Sequence, residues 1–412
     1  QRCRGKVDAD EIVACPMESG AVSAPLSIGV GAARTLISLL RPVYSPARLV
    51  SVEGGHALIA GRRIQVATVL WFCSALLMLS PFQAVHAGTP QDALQHELEL
   101  TRAALARGDL KAADEAVQKA LHLNAASPQA LHLHGLVLLK SRKPAEAAEA
   151  FARALKVKPA FAAALNDLAE VYAAQGKSAE AQQALTKAIE ADPKHAESHL
   201  DLAKLYELQR DMPAAIKTYQ GLLAIQPAHA EALFSLATLQ EHAGDSKAAA
   251  ETLARLTKAH PKHADAWYLT GRMAERRNDL AEAAYAYKQA VAAKPDLVDA
   301  HYNLGFIYRS QGRSAEAERE FLEVLRYQPG YAEAHLNLGV VYTSMGQLDE
   351  AEREYTSAVA LKPEYAEAHY NLGVFYELHR KDMPRALAQY RKYRELGGRD
   401  DRVERIVGST FR

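Results

Sequence analysis

Cysteine is almost absent from the sequence, and the few cysteines all lie near its amino terminus. Of 412 residues, only Cys3, Cys15 and Cys73 are cysteines. The chain beyond residue 87 therefore holds no disulfide, no cysteine-bound iron–sulfur cluster, no covalently attached haem and no thiol nucleophile. If that part is exported to an oxidising compartment, packing alone has to stabilise it.

An excess of charge of either sign is lacking as well. The sequence has 49 lysine and arginine residues against 49 aspartate and glutamate residues. Eight of the basic and five of the acidic residues precede Gly88, so the remainder carries a formal net charge of −3. Because a phosphate backbone requires concentrated lysine and arginine, we do not expect nucleic acid as a partner.

Catalytic signatures are missing too. The sequence contains no Gly-x-Ser-x-Gly, no Walker-type loop, no His-Glu-x-x-His and no Cys-x-x-Cys. These patterns position nucleophiles, phosphates and metal ligands in the enzyme families that use them. We therefore predict that the protein is not an enzyme and uses no cofactor.

One long apolar run occurs, from Val66 to Leu79, and its 14 residues are few for a membrane span. Two arginines precede it, and small residues stand at the expected cleavage positions in Val85-His86-Ala87. This order is typical of a secretory signal peptide, which we place over residues 62–87 with cleavage after Ala87. Export to the bacterial periplasm is then expected. The alternative is an inner-membrane anchor formed by residues 64–82, although a spanning helix needs ~20 apolar residues.

The segment before this run, residues 1–61, has scattered proline, glycine and serine and no sustained hydrophobic period. Such a composition does not support a packed core. The chain also opens with Gln1 rather than methionine. We expect residues 1–61 to be unstructured or to be an extension upstream of the true start.

Prolines recur at a fixed interval through most of the remaining chain. Although only 17 residues are proline, seven of them stand 34 residues apart, and small residues keep the same interval. The prolines are Pro159, Pro193, Pro227, Pro261, Pro295, Pro329 and Pro363, and the small residues are Ala169, Ala203, Ala237, Gly271, Gly305, Gly339 and Gly373. So regular a period indicates stacked repeats that bury their apolar faces against one another.

Each repeat contains two stretches with helical periodicity, as residues 332–365 illustrate. Apolar residues follow the spacing i, i+3, i+4 and i+7 from Leu338 to Met345, and a similar pattern runs from Leu348 to Val359. Gly346 is placed to end the first helix at positive φ, and Pro363 to end the second. In other repeats, serines are placed to cap the second helix: Ser178, Ser246 and Ser314.

The period, the Leu338-Gly339 pair with Tyr342, the Ala351 and Tyr355 of the second helix and the closing proline resemble the tetratricopeptide repeat. The resemblance implies an all-α fold, a right-handed superhelical solenoid of about nine two-helix hairpins. In this register the repeats occupy residues 94–398, with a degenerate first unit and one extra residue in the last. Residues 399–412 are expected to form a C-terminal capping segment with a short helix.

Histidine is the one abundant reactive residue type, with 14 of the 16 histidines located after residue 87. His195 and His199 are four residues apart on one predicted helix, which is a conceivable metal-binding spacing. However, His199, His301, His335 and His369 occupy the same position in different repeats. Equivalent positions lie along the stack instead of converging on one ion, so we interpret these histidines as packing residues and predict no metal site.

The resemblance also implies that the first helix of each hairpin lines a concave groove. Position 2 of six successive repeats is acidic: Glu197, Glu231, Asp265, Asp299, Glu333 and Glu367. Position 6 holds Asp167, Asp201, Ser235, Asn303, Asn337 and Asn371, and position 5 adds Phe234, Tyr268, Tyr302 and Tyr370. Position 12 has Glu207, Glu241, Glu275 and Glu377. Amides can bond a peptide backbone and aromatic faces can receive side chains. The helix dipole also favours acids in a first turn, so the position-2 stripe has a structural explanation beside the functional one.

Three functional hypotheses follow. The first is an exported, non-enzymatic scaffold that binds an extended peptide or partner protein, with basic sequences favoured by the acidic stripe. Here Asn303, Asn337 and Asn371 resemble the asparagines that hold peptide backbone in the repeat domain of the O-linked N-acetylglucosamine transferase. The second is an accessory subunit of a cell-envelope assembly or secretion complex. The third is the detached repeat region of a glycosyltransferase-type enzyme.

Overall fold

The computed structural model describes residues 89–409, and within this range the chain is a succession of helical hairpins. The first helices of the hairpins are α1 (Pro90–Arg107), α3 (Pro128–Lys140), α5 (Ala162–Ala174), α7 (Ala196–Leu208), α9 (Ala230–His242), α11 (Ala264–Arg276), α13 (Val298–Ser310), α15 (Ala332–Ser344) and α17 (Ala366–Phe375). The second helices are α2 (Leu110–Leu123), α4 (Pro144–Val157), α6 (Ser178–Ala191), α8 (Met212–Ile225), α10 (Ser246–Ala259), α12 (Leu280–Ala293), α14 (Ser314–Tyr327), α16 (Leu348–Leu361) and α18 (Met383–Glu395). A last helix, α19 (Asp401–Ser409), follows.

This arrangement confirms the predicted fold class, an all-α repeat solenoid with a C-terminal capping helix. Val403 and Val407 of α19 are almost completely buried, so α19 covers the apolar end of the last hairpin. At the other end, α1 begins at Pro90, ahead of residue 94, and Thr89 caps it by a reciprocal bond with Asp92. The predicted N-terminal segment 1–61 and signal peptide 62–87 lie outside the described residues.

The turn inside each hairpin uses a left-handed residue, as expected for Gly346, whose φ is 73°. Four hairpins have a side chain at this place instead of glycine: Arg142, Arg210, Asn278 and Lys381, with φ between 55° and 62°. Left-handed backbone is costly for such residues, but a single residue is tolerated where the helices on both sides fix the turn. In three of these hairpins a proline lies in the first turn of the second helix: Pro144 in α4, Pro213 in α8 and Pro384 in α18.

The serine caps are a wrong prediction. Ser178, Ser246 and Ser314 are the first residues within their helices, and the capping position falls one residue earlier. In α10 the preceding Asp245 accepts from the backbone N–H of Ala248, whereas α6 and α14 have no side-chain cap. The left-handed turn residue sets where the helix starts, and this outweighs the preference of serine for the cap.

The histidines at one repeat position hold the connection between repeats. Nε2 of His301 lies 3.0 Å from the carbonyl oxygen of Pro295, six residues earlier. His199, His335 and His369 make the same contact at 3.0–3.1 Å with the carbonyl of the proline that closes the preceding repeat. In the sixth repeat the indole of Trp267 donates to Pro261 in the same way. This repeated contact gives these histidines a structural role.

The ninth hairpin absorbs its extra residue as a π-helical segment, Tyr376–Arg380, at the end of α17. Lys381 then takes the left-handed turn with φ 55°. The widened turn directs Arg380 back to the preceding hairpin, where its Nε donates to Glu352 at 2.7 Å and its Nη2 to the carbonyl of Leu348 at 3.1 Å. The predicted hairpin turn therefore forms, and the insertion adds a contact between repeats.

Candidate binding groove

The first helices line the inner side of the array. Consecutive first helices contact each other at α1–α3, α5–α7, α13–α15 and α15–α17, whereas consecutive second helices make at most marginal contact. The helices that lie closer together are on the inside of a curved stack. The predicted site residues of positions 2, 5 and 6 all belong to these first helices.

Positions 5 and 6 form hydrogen-bonded rungs between neighbouring repeats. Nε2 of His132 lies 2.5 Å from Oδ2 of Asp167, and the amide of Asn166 donates to Asp201 at 3.0 Å. Farther along, the amide of Asn337 donates to the hydroxyl oxygen of Tyr302 at 3.2 Å. Each pair is separated by 35 residues, one repeat plus one residue. Asn303 lies near the hydroxyl of Tyr268 in the corresponding place. The structure thus brings predicted site residues together, but as partners of one another.

The asparagine ladder is less accessible than the resemblance implies. Asn337 and Asn371 are each only 5% exposed, and their amides donate to the backbone carbonyls of Glu333 and Glu367 at 2.7 and 2.9 Å. Asn303 is partly exposed, and its amide donates to the hydroxyl of Tyr287 at 3.2 Å. The amide nitrogens of all three therefore already have acceptors inside the protein.

Three carboxylates form an acidic patch on α5 and α7, namely Asp167, Glu170 and Asp201. Burial raises the pKa of Asp201 above its usual range, against the lowering effect of the bond from Asn166. Glu170 is exposed, but desolvation by the surrounding protein raises its pKa above the usual range, and repulsion from Asp167 and Asp201 adds to the shift. Glu170 stands at position 9, three residues after Asp167, a helical spacing that could have identified it from the sequence. A nearby cation would relieve this repulsion.

The position-2 acids differ from one another. Glu231 pairs with Lys204 at 2.6 Å and Glu333 with Lys362 at 3.0 Å. The other four acids, Glu197, Asp265, Asp299 and Glu367, are exposed at the starts of their helices. All six lie in first turns, where the helix dipole favours them, so this stripe by itself does not define a site.

Position 12 has a structural role that the sequence analysis missed. The hydroxyl of Tyr287, in the second helix of the sixth hairpin, donates to Glu275 at 2.6 Å, and Tyr390 donates to Glu377 in the same way. Tyr219 donates to Glu207 in the fourth hairpin. Where the second helix has a phenylalanine instead, as in Phe151 or Phe321, position 12 is not an acceptor. These glutamates satisfy buried tyrosines and give no support to a binding role.

Aromatic side chains line the later first helices. The rings of Tyr302 and Tyr331 lie 5.3 Å apart, and Tyr370 contacts Tyr393 at 5.2 Å. Burial raises the pKa of Tyr302 to about 12, so its phenol stays neutral and keeps its proton at physiological pH. The inner face therefore has two parts: polar and acidic in the third and fourth repeats, aromatic and amide-bearing from the sixth to the ninth.

Between Thr89 and Ser409, no helix combines the length and apolar character needed to cross a lipid bilayer. The same part of the chain contains no group of three or more histidine, cysteine, aspartate or glutamate side chains arranged to hold a metal ion.

Family models agree with this architecture. Models described as tetratricopeptide repeat match residues 132–181, 166–230, 214–256, 234–298, 298–331 and 320–353, and one described as TPR repeat matches 341–379. Together they span residues 132–379, so the chain belongs to the tetratricopeptide repeat family. This fold is typical of protein–protein interaction scaffolds, and the family is generally non-catalytic.

Among solved structures, the Pseudomonas aeruginosa pilF structure shares 20% identity, with 50% of this chain and 95% of that chain aligned and a TM-score of 0.45. A crystal structure of MamA protein shares 24% identity over 42% of this chain and 94% of that one, with a TM-score of 0.37. A tetratricopeptide repeat protein from Parabacteroides merdae shares 17% identity over 60% and 98%, with a TM-score of 0.38. At such identities the likeness concerns the fold alone. No curated protein sequence gave a match.

Proposed function

We propose that the protein is an exported scaffold whose inner face binds an extended segment of another protein, and that the acidic patch selects a basic segment. The acidic patch carries this proposal. Its three carboxylates lie on adjacent first helices, and burial together with mutual repulsion disfavours the charged form of two of them. A lysine or arginine of a bound segment would compensate that charge, and would contribute to both selectivity and association rate.

The later inner face supplies the complementary apolar part. Tyr268, Tyr302 and Tyr370 are partly exposed and offer flat apolar surfaces with polar tips. Because Asn337 and Asn371 already donate within the protein, the segment would be held more by aromatic contacts and charge than by the amides. The export proposal depends on the sequence pattern at residues 62–87.

The test uses labelled, amidated peptides that share one extended sequence and differ only in having Lys, Gln or Glu at alternate positions. The protein variant is Asp167→Asn, Glu170→Gln and Asp201→Asn together, which keeps the shape and hydrogen-bonding oxygens and removes the charge. We expect the native protein to prefer the Lys peptide, and the variant to bind it ~10-fold or more weakly with reduced salt dependence.

A matched control changes Glu149, Glu180 and Glu190 to glutamine. These residues are exposed on the second helices α4 and α6, on the opposite side of the same hairpins, and removing them changes the net charge equally. Equal weakening by both triple variants would mean that net charge alone drives binding. Unchanged binding by the acidic-patch variant would move the site away from the inner face, for instance to the outer recess lined by Leu253, Trp267 and Tyr285.

A further inference from the structure

One arginine on the inner face has no anionic partner among the described residues. Arg309 stands in the last turn of α13, is partly exposed, and lies with its guanidinium 4.7 Å from the centre of the Phe306 ring. Within residues 89–409 its guanidinium makes no hydrogen bond and no ion pair, although most arginine–carboxylate pairs of this region are well formed. A guanidinium that is partly shielded from water and has no acceptor in the protein keeps its N–H donors available to a ligand.

The position of Arg309 within its repeat shows that hairpin packing does not require a charge there. It occupies position 12, where the fourth, sixth and ninth hairpins use a glutamate to accept from a buried tyrosine. In the seventh hairpin the facing residue is Phe321, which has no hydroxyl and needs no acceptor. Arg309 is the one cation at position 12 in the described hairpins, so neither the repeat pattern nor hairpin packing accounts for its charge.

The surroundings of Arg309 are rich in aromatic groups. The guanidinium is faced by Tyr302, Tyr355, Tyr365 and Glu367, and burial lowers its pKa from the ordinary value. Glu367 remains outside ion-pair distance, and Glu333, the other acid on this side, is already paired with Lys362 at 3.0 Å. Removing a guanidinium from water costs free energy that only an anion at hydrogen-bond distance returns in full.

We infer that Arg309 receives one carboxylate of the segment bound along the inner face. The inference rests on the proposed function and narrows it. It requires one acidic group in the bound segment, whereas the rest of the groove selects basic residues of that segment. The planar guanidinium fork matches a carboxylate with two parallel bonds. The hydroxyl of Tyr302 accepts from Asn337, so its own proton is free to donate to the same carboxylate. Basic residues at the third and fourth repeats and an acid at the seventh would fix the direction and register of the segment.

The test compares Arg309→Gln with Arg319→Gln. Arg319 is exposed on α14, the second helix of the same hairpin, so the two variants lose the same charge from opposite sides. The probes are acetylated, amidated lysine-bearing peptides in which a single Glu is moved one position at a time, and a matched series with Gln. A third series has no Glu but ends in a free carboxylate. It shows whether Arg309 binds a side-chain carboxylate or the carboxylate of a C-terminus.

For the native protein we expect one Glu position, or the free C-terminus, to improve binding. Arg309→Gln should weaken binding of that peptide by ~10- to 100-fold and leave binding of the Gln peptide unchanged, while Arg319→Gln should change the affinity for neither peptide. Equal weakening of Glu and Gln peptides would overturn the inference, because it would show that Arg309 supports the groove without contacting a carboxylate. If no peptide binds the native protein, the proposed function fails as well. If the acidic-patch variant loses binding and Arg309→Gln does not, only the inference fails.

A second measurement needs no ligand. Replacing this partly exposed arginine by the apolar Arg309→Met should leave the Tm of the free protein unchanged or higher, since no ion pair and no hydrogen bond of the guanidinium is lost. A lower Tm would indicate that the fold itself depends on the guanidinium, which would also contradict the inference.

Discussion

The glycine register offers the sharpest test of how the hairpins pack. A Cβ added to Gly339 would lie 2.6 Å from Cδ1 of Tyr355, an atom of a ring that is 1% exposed and cannot swing away. We therefore expect Gly339→Ala to destabilise the eighth hairpin. Alanine improves helix formation by ~1 kcal/mol over glycine, whereas overpacking costs ~1–3 kcal/mol. A contact as short as 2.6 Å belongs to the upper half of that cost, so the net loss should be roughly 1–2 kcal/mol.

Other repeats show what would relieve this clash. Where alanine replaces the glycine in the third and fifth hairpins, the facing residue is a leucine, in the pairs Ala169–Leu185 and Ala237–Leu253. The double variant Gly339→Ala with Tyr355→Leu copies these pairs. Tyr355→Leu alone should cost roughly 1–3 kcal/mol for the lost ring and its bond to Thr343. The two changes should couple favourably by roughly 1–2 kcal/mol, so that the double variant is more stable than the sum of the single losses predicts.

The fourth hairpin is the exception, because it holds both Ala203 and Tyr219 in its core. A hairpin can thus separate its helices enough for both side chains, and the stability lost in Gly339→Ala measures the cost of that separation.

Hydrogen exchange of the α15 and α16 amides is the suitable assay, since a solenoid unfolds locally and a single global free energy is not defined. Gly330→Ala is the control, because an added Cβ there meets no atom within 4 Å. Stability of Gly339→Ala equal to that of the native protein would refute the steric argument.

Two predictions remain. Both ring nitrogens of His301 face acceptors, Glu320 at 2.7 Å and the carbonyl of Pro295, which only the protonated ring can satisfy. Burial lowers its pKa, but these bonds outweigh it and the net shift is upward. The stability that His301 contributes should therefore be complete below the unfolded pKa of ~6.5 and should fall as pH rises through the pKa of the folded state. The variant Glu320→Gln copies the Gln389 that lies beside His369, and it should make the Tm depend less on pH. N-terminal sequencing of the protein purified from its native cell should find Gly88 first, and a mature chain that begins well before Gly88 would contradict signal cleavage.

The repeat architecture was readable from the sequence because its signals are local. A proline stops the second helix at its preceding residue, a left-handed glycine ends the first, and the apolar period specifies the buried stripe between them. Each of these signals acts over a few residues and recurs every 34 residues. A wrong helix boundary in one repeat therefore does not shift the boundaries predicted in the next. The same locality explains the buried face of α19 and the failure at the serine caps, where the choice between adjacent residues depends on turn geometry.

Contacts between repeats were decided only by the tertiary structure. Whether Asn337 faces a ligand or donates to Tyr302 depends on the angle and distance between α13 and α15, and no spacing within one repeat encodes them. The acceptor role of Glu275 likewise depends on which side chain of α12 lies across from it. The sequence did not single out Arg309 for the same reason. What distinguishes this residue is that none of its described neighbours pairs with it, and those neighbours come from separate hairpins that only the stacking brings together.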